Sequence, residues 1–154
     1  RSNDQYMLWS LYASSHRGLC LHLDEQLLRD TAKSREWMFT PVDYSDNLPS
    51  LSDMSAAKSA PEQNRLFVGR KGRRWESEQE IRIIAGIAHN QRIFTLPQEV
   101  LVGVTFGREM PSHTRECIID WIRQRPDANR IRLFECVMHD RHYDIATRLF
   151  SSNL

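Results

Sequence analysis

The chain has 154 residues, 40% of them hydrophobic and 27% charged, with a formal net charge of +1. That length can bury a core within one domain, and the near-neutral balance excludes a strong overall electrostatic claim on nucleic acid. No apolar run approaches the ~20 residues of a membrane helix, and three widely spaced cysteines, Cys20, Cys117 and Cys136, make no disulfide framework, so a reducing cytoplasm is the natural compartment.

In chain order, Asn3 or Asp4 is placed to cap a helix through QYMLWSLYASSH, and Gly18 stands where a helix stop wants a left-handed residue. Trp9, Tyr12, Ala13 and His16 share one face by three- and four-residue spacing, and a helix so apolar on most sides is expected to be buried. GLCLHLD alternates as a strand, with Leu19, Leu21 and Leu23 on one face and Cys20 and His22 on the other. LDEQLLRDTAKSREWMF reads as a short helix and TPVDYSDNLP as a short strand. Residues 45–63, rich in Ser, Asp, Pro and Ala, read as a loop with one helical turn at most.

RIFTLP and EVLVGVTFG are predicted strands, the second nearly continuous in apolar residues and so central. MPSHTRECIIDWIRQRP predicts a helix capped by Ser112 or Thr114, with an apolar stripe of Ile118, Ile119, Trp121 and Ile122, closed by Pro126. NRIRLFECVMHDRHYDIATRLF predicts two strands around a His139–His142 turn. The order is mixed, without regular βαβ alternation, which favours a single α+β domain with a mixed, largely antiparallel sheet.

The segment RRWESEQEIRII, residues 73–84, admits two readings. As a strand, Glu76, Glu78, Glu80 and Arg82 project together about 7 Å apart, over a buried face of Trp75, Ile81 and Ile83. As a helix, Ser77 and Glu80 form a capping box ahead of Ile81, Ile84 and Ala88. Spacing does not choose between them. Just before it, Arg65, Arg70, Lys71, Arg73 and Arg74 form a basic cluster, either a phosphate-binding surface or a solvated loop that balances nearby acids.

Three ordered blocks carry a resemblance: MLWSLYASSHRGLCLHLD at 7–24, VDYSDNLPSL at 42–51 and KGRRWESEQEIRII at 71–84. Together they resemble a mostly bacterial family catalogued as domain of unknown function 2971. Its blocks match here at Met7, Trp9, Ser10, Tyr12, His16, Gly18 and Cys20, at Val42, Tyr44 and Pro49, and at Lys71, Trp75, Glu78, Glu80 and Arg82, with Leu8 inserted before Trp9. The resemblance favours the strand reading. The chain opens on Arg1, so the expectation is the C-terminal portion of a larger family domain.

The block order is similar to that of ADP-ribosyltransferase-like proteins. That likeness implies an enzyme of toxin or phage-defence biology that cleaves the nicotinamide–ribose bond of NAD. Glu80 would stabilise the oxocarbenium-like transition state and Glu78 would orient the acceptor or water. Trp9 or Tyr12 would stack on a flat ring, while Ser10, His16, Lys71 and Arg82 would hold hydroxyls or phosphates, His16 doubling as a catalytic group. NAD is the possible substrate, with no certain cofactor, no membrane partner, and an oligomeric state left open.

Against this stands a plainer reading. Glu80–Arg82 and Glu78–Lys71 would be structural ion pairs, Trp9, Tyr12 and His16 core residues with satisfied polar ends, and His16 the finish of a helix. The alternative function is a non-catalytic nucleic-acid or protein binding module using the Arg65–Arg74 cluster. Cys136, His139 and His142 have C-x₂-H-x₂-H spacing but no fourth ligand in view, so no metal is assigned.

Overall fold

The structure is a computed structural model that describes residues 6–85, 93–141 and 144–150. The chain divides into two compact units, Arg1–Leu28 with Leu96–Leu154, and Arg29–Thr95. Each has its own architecture, and together they bear out the α+β class with mixed, largely antiparallel pairing.

The first unit is built on a four-stranded sheet of β1 (Leu19–Leu23), β6 (Leu101–Phe106), β7 (Arg132–Met138) and β8 (Ile145–Leu149), in that order. β1 pairs antiparallel with β6, and β7 with β8, while β6 and β7 run parallel. A parallel pair needs a crossover, and α5 (Ser112–Arg123) supplies it. β6 lies between two partners, as its apolar run implies.

Strand alternation splits the unit's core in two. Val104, Phe106 and Leu133 meet Ile119 and Ile122 of α5, with Met110 and Ile131. On a second cluster, Trp9 and Ala13 pack with Cys136 and Ile145. Each Val, Leu, Ile, Phe or Met among them contributes about 1.5–3 kcal/mol when fully withdrawn from water. Trp121, expected in the apolar stripe of α5, instead points outward at 68% exposure. The helix starts after Pro111 with no side-chain cap, so neither Ser112 nor Thr114 serves as one. Proline fits there because the first amides of a helix have no intrahelical acceptor.

The first helix is shorter than expected. α1 covers only Tyr6–Tyr12, and Tyr6, Met7, Leu11 and Tyr12 are all exposed, so the helix buries a narrow edge and not most of its surface. The expected caps Asn3 and Asp4 lie outside the described residues. What ends the helix is a run of three left-handed residues, Ser14, Ser15 and His16, at φ 48°, 53° and 66°. Gly18 is not left-handed. It instead lets the chain pass close over Ala13, whose backbone a Cβ would meet at 3.1 Å.

The second unit is made of short ribbons. α2 (Glu25–Ser34) crosses the boundary between the units in sequence. Asp24 caps it, its carboxylate accepting from Leu27 N–H at 2.9 Å. β2 (Met38–Pro41) pairs antiparallel with β5 (Ile81–Ile84), and β3 (Asp43–Tyr44) pairs parallel with β4 (Arg70–Lys71).

The stretch expected as loop holds two helices, α3 (Leu51–Ala56) and α4 (Ala60–Val68). Sparse apolar residues hide their periodicity, but their caps are local. Ser50 and Asp53 form a capping box, and Ser59 accepts from Glu62 N–H. RIFTLP forms no strand over its described residues 93–97.

Candidate functional site

In the second unit the glutamate segment is neither the strand nor the helix expected of it. A 3₁₀ helix spans Arg73–Glu78, Gln79 is left-handed at φ 47°, and only then does β5 begin. Glu76 is therefore exposed on the 3₁₀ helix and shares no face with the others. Trp75 and Ile81 are half-buried and Ile83 is exposed, in place of the expected buried face.

The turn at Gln79 lets Glu78 and Glu80 converge on one cation. Lys71 Nζ lies 2.5 Å from Glu78 Oε2 and 3.4 Å from Glu80 Oε2. Arg82 holds Glu80 with both arms of its fork, Nε to Oε1 at 2.7 Å and Nη2 to Oε2 at 3.0 Å, and donates through Nη1 to the Val68 carbonyl. Tyr44 Oη accepts from Glu80 N–H at 2.7 Å, and Lys71 Nζ stands 5.0 Å above the Trp75 ring.

This is a charge-balanced network of two acids and two bases. The Arg82 guanidinium, then Lys71, hold the Glu80 carboxyl below the usual carboxylate range. Glu78 and Glu80 push the Lys71 ammonium up, and Glu80 pushes Arg82 up. Its chemical meaning is a Glu80 whose ionised form is favoured by two cations, one of which also stands over an aromatic face. The sequence pairs Glu78 with Lys71 and Glu80 with Arg82, and the structure adds Lys71–Glu80, Tyr44 and Val68. Tyr44 carried a signal, since it stands in the second resemblance block. Val68 acts through its carbonyl, to which side-chain identity is blind.

The basic cluster does not act as one patch. Arg70 pairs with Asp43 at 3.1 Å and Lys71 with the glutamates. Arg65, Arg73 and Arg74 are exposed, and no acid among the described residues pairs with them.

In the first unit the early block is a compact, strained turn. Trp9, Ala13 and His16 are buried, whereas Tyr12, expected on their face, is exposed as the last residue of the helix. Ser10 Oγ lies 3.1 Å from His16 Nε2, and the Tyr6 ring is 4.5 Å from the imidazole. His16 Nδ1 is buried with no hydrogen-bond partner among the described residues.

Left-handed residues cost roughly 1–2 kcal/mol each. Here hydrogen bonds offset part of that cost, from His16 N–H to Trp9 O at 3.2 Å and from Glu109 N–H to His16 O at 3.0 Å. Gly107 makes the docking possible, since a Cβ there would sit 2.1 Å from His16 O.

Sequence reasoning did not foresee the partner of His22. Its Nε2 lies 2.6 Å from Thr105 Oγ1, and its ring stacks on Phe134 at 5.1 Å. Burial, then the nearby Arg132, lower its pKa. Burial raises that of the Cys20 thiol, which disfavours a nucleophilic thiolate. Cys136 is in the core, His142 lies outside the described residues, and no metal-holding group occurs among those described. Nor is any described helix long and apolar enough to cross a membrane.

The three blocks run from α1 into β5, and comparison with family models follows that span. Residues 8–83 match the family described as Protein of unknown function (DUF2971). The chain resembles that family. The DUF2971 match takes in the Glu80 network and, of the early turn, Trp9 to His16, and ends before β6, α5, β7 and β8. No curated protein and no solved structure matches the chain.

Proposed function

We propose that the chain is an NAD-consuming enzyme, an ADP-ribosyltransferase or NAD glycohydrolase, that works through Glu80. The observation that carries this reading is a carboxylate paired with two cations. When the nicotinamide–ribose bond breaks, its electron pair leaves with nicotinamide and positive charge develops on the ribose. A fixed carboxylate stabilises charge that appears only then. Water or an acceptor then adds to the sugar and gives up its proton to solvent, with Glu78 orienting it.

Both Glu80 oxygens already hold donors, so the reading requires an exchange. Lys71 makes the longer contact and would move from Glu80 to the substrate diphosphate, leaving Arg82 to hold Glu80 in place.

The test is nicotinamide release from NAD by the full chain, beside Glu80→Gln. The expected loss is at least about 100-fold with far-ultraviolet circular dichroism unchanged. Equal release by both proteins, or none by the wild type, overturns the reading. Arg65, Arg73 and Arg74, exposed and with no acid paired to them among the described residues, favour a second one, a nucleic-acid binding module. It gains if RNA or DNA binding is salt-sensitive and weakens in Arg73→Ala with Arg74→Ala, while no nicotinamide is released.

A further inference from the structure

The second unit also holds an open cavity of about 730 Å³ beside α3 and α4. That is the size class of small-molecule sites. Its apolar lining includes Val42, Ala57 and Leu66. The β3–β4 ribbon separates it from the Glu80 network. Alternate residues of a strand point to opposite faces, so Asp43 and Arg70 line the cavity while Tyr44 and Lys71 reach the network.

Each of the cavity's acids holds a donor on one of its oxygens. Asp43 holds Arg70 at 3.1 Å, Asp53 accepts from Ser50 N–H at 2.8 Å, and Glu62 accepts from Lys58 N–H at 2.6 Å. Two cations of the same lining are not engaged. The Arg65 guanidinium and the Lys58 ammonium have no acceptor among the described residues. Beside the apolar wall the lining therefore offers two side-chain cations with no described acceptor, together with the carboxylates of Asp53 and Glu62, which are bound to backbone amides. A phosphomonoester, with a charge of about −1.5 to −2 and three acceptor oxygens, suits two such cations.

From this juxtaposition we infer that the cavity is a binding site for a small phosphomonoester, its phosphate on Lys58 and Arg65 and an apolar body against Val42, Ala57 and Leu66. The inference does not rest on NAD cleavage, because it uses the other face of the ribbon.

Isothermal titration of the full chain with adenosine 5′-monophosphate tests it, with adenosine, inorganic phosphate and hexanoate as separate arms. Saturable binding of the monophosphate is expected, tighter than any of the other three by at least tenfold. Arg65→Ala and Lys58→Ala each weaken it tenfold or more, and Arg65→Lys weakens it less. Lys33→Ala, which removes an exposed cation at the end of α2, leaves it unchanged. Circular dichroism confirms that each variant is folded.

Absence of saturable binding overturns the inference, as does affinity equal in wild type, Arg65→Ala and Lys58→Ala. Inorganic phosphate binding as tightly as the monophosphate removes the apolar wall from the claim and overturns it too. Equal binding of hexanoate overturns the assignment to phosphate. Nicotinamide release is a separate readout, so a failure of that assay leaves this result standing.

Discussion

The two units are held together by different physics. The first buries Val104, Phe106, Met110, Ile119, Ile122, Ile131 and Leu133 in one cluster and Trp9, Ala13, Cys136 and Ile145 in another. Among the described residues of the second, the buried side chains are small: Thr31, Ala32, Thr40 and Val42. Its ribbons are instead tied by ion pairs that join β4, the Glu78–Glu80 turn and β5. One unit therefore rests on apolar burial, which salt and pH touch little. The other rests on half-exposed charge pairs, which are individually weak and depend on ionic strength.

The sharpest way to break this comparison is to attack the apolar core. Phe106 is fully buried, so Phe106→Ala should cost about 3–5 kcal/mol, read as a fall in denaturation midpoint. Hydrogen exchange resolved by segment should show the loss in β1, β6 and β7. Equal loosening of β2 and β5 would mean the two units share one cooperative transition.

Gly107→Ala comes next. The added carbon overlaps the His16 carbonyl, so the left-handed turn must move, at a cost of about 1–3 kcal/mol. The fluorescence of Trp9, packed beside that turn, is the natural probe. A neutral substitution would show that the turn is not pinned by β6.

Glu80→Gln should cost only about 0.5–1 kcal/mol in stability, because the network is half-exposed, and the cost should shrink in high salt. Faster exchange should be confined to the β2–β5 ribbon. A loss insensitive to salt would argue that packing and not charge holds this unit.

The smallest effects are those of pH, and their signs differ between units. Glu80 has a depressed folded pKa, so its contribution is present above the unfolded carboxylate range and lost as pH falls through the folded value. Lys71 has a raised folded pKa, so its contribution is present below the unfolded lysine range and lost as pH rises through the folded value. His22 is lowered in the first unit, so its contribution is full above the unfolded histidine range and fades as pH falls toward the folded value. Acid thus weakens both units, while strong alkali should weaken the second through Lys71. Segment-resolved exchange at alkaline pH, corrected for intrinsic rates, checks this.

Where chemistry is local and periodic, the sequence predicted well. β1, α2, β6, α5, β7 and β8 follow from alternation and helical spacing, and the pairs Lys71–Glu78 and Arg82–Glu80 from charge and proximity. Trp9 and His16 were legible as one face. Two of the misses share a cause, a backbone turned into the left-handed region by residues other than glycine. Gln79 breaks the strand that would have aligned four side chains, and Ser14 to His16 stop a helix that Gly18 was expected to stop. Nothing in a Gln or Ser announces such a conformation, because tertiary contacts and not local preference impose it. α3 and α4 escaped differently, since their capping residues are local but their apolar stripes are too sparse to show a period.

The run Ser14–Ser15–His16 winds the main chain briefly against the screw sense that its own chirality prefers. Such a stretch sets an unusual spectrum of tolerance. Gly, Asn or Asp should be accepted at 14 and 15, where the side chains are exposed, and branched Val, Ile or Thr rejected, the reverse of what an outward-facing position usually permits. Handedness, more than hydrophobicity, would then be the selective filter on these two serines.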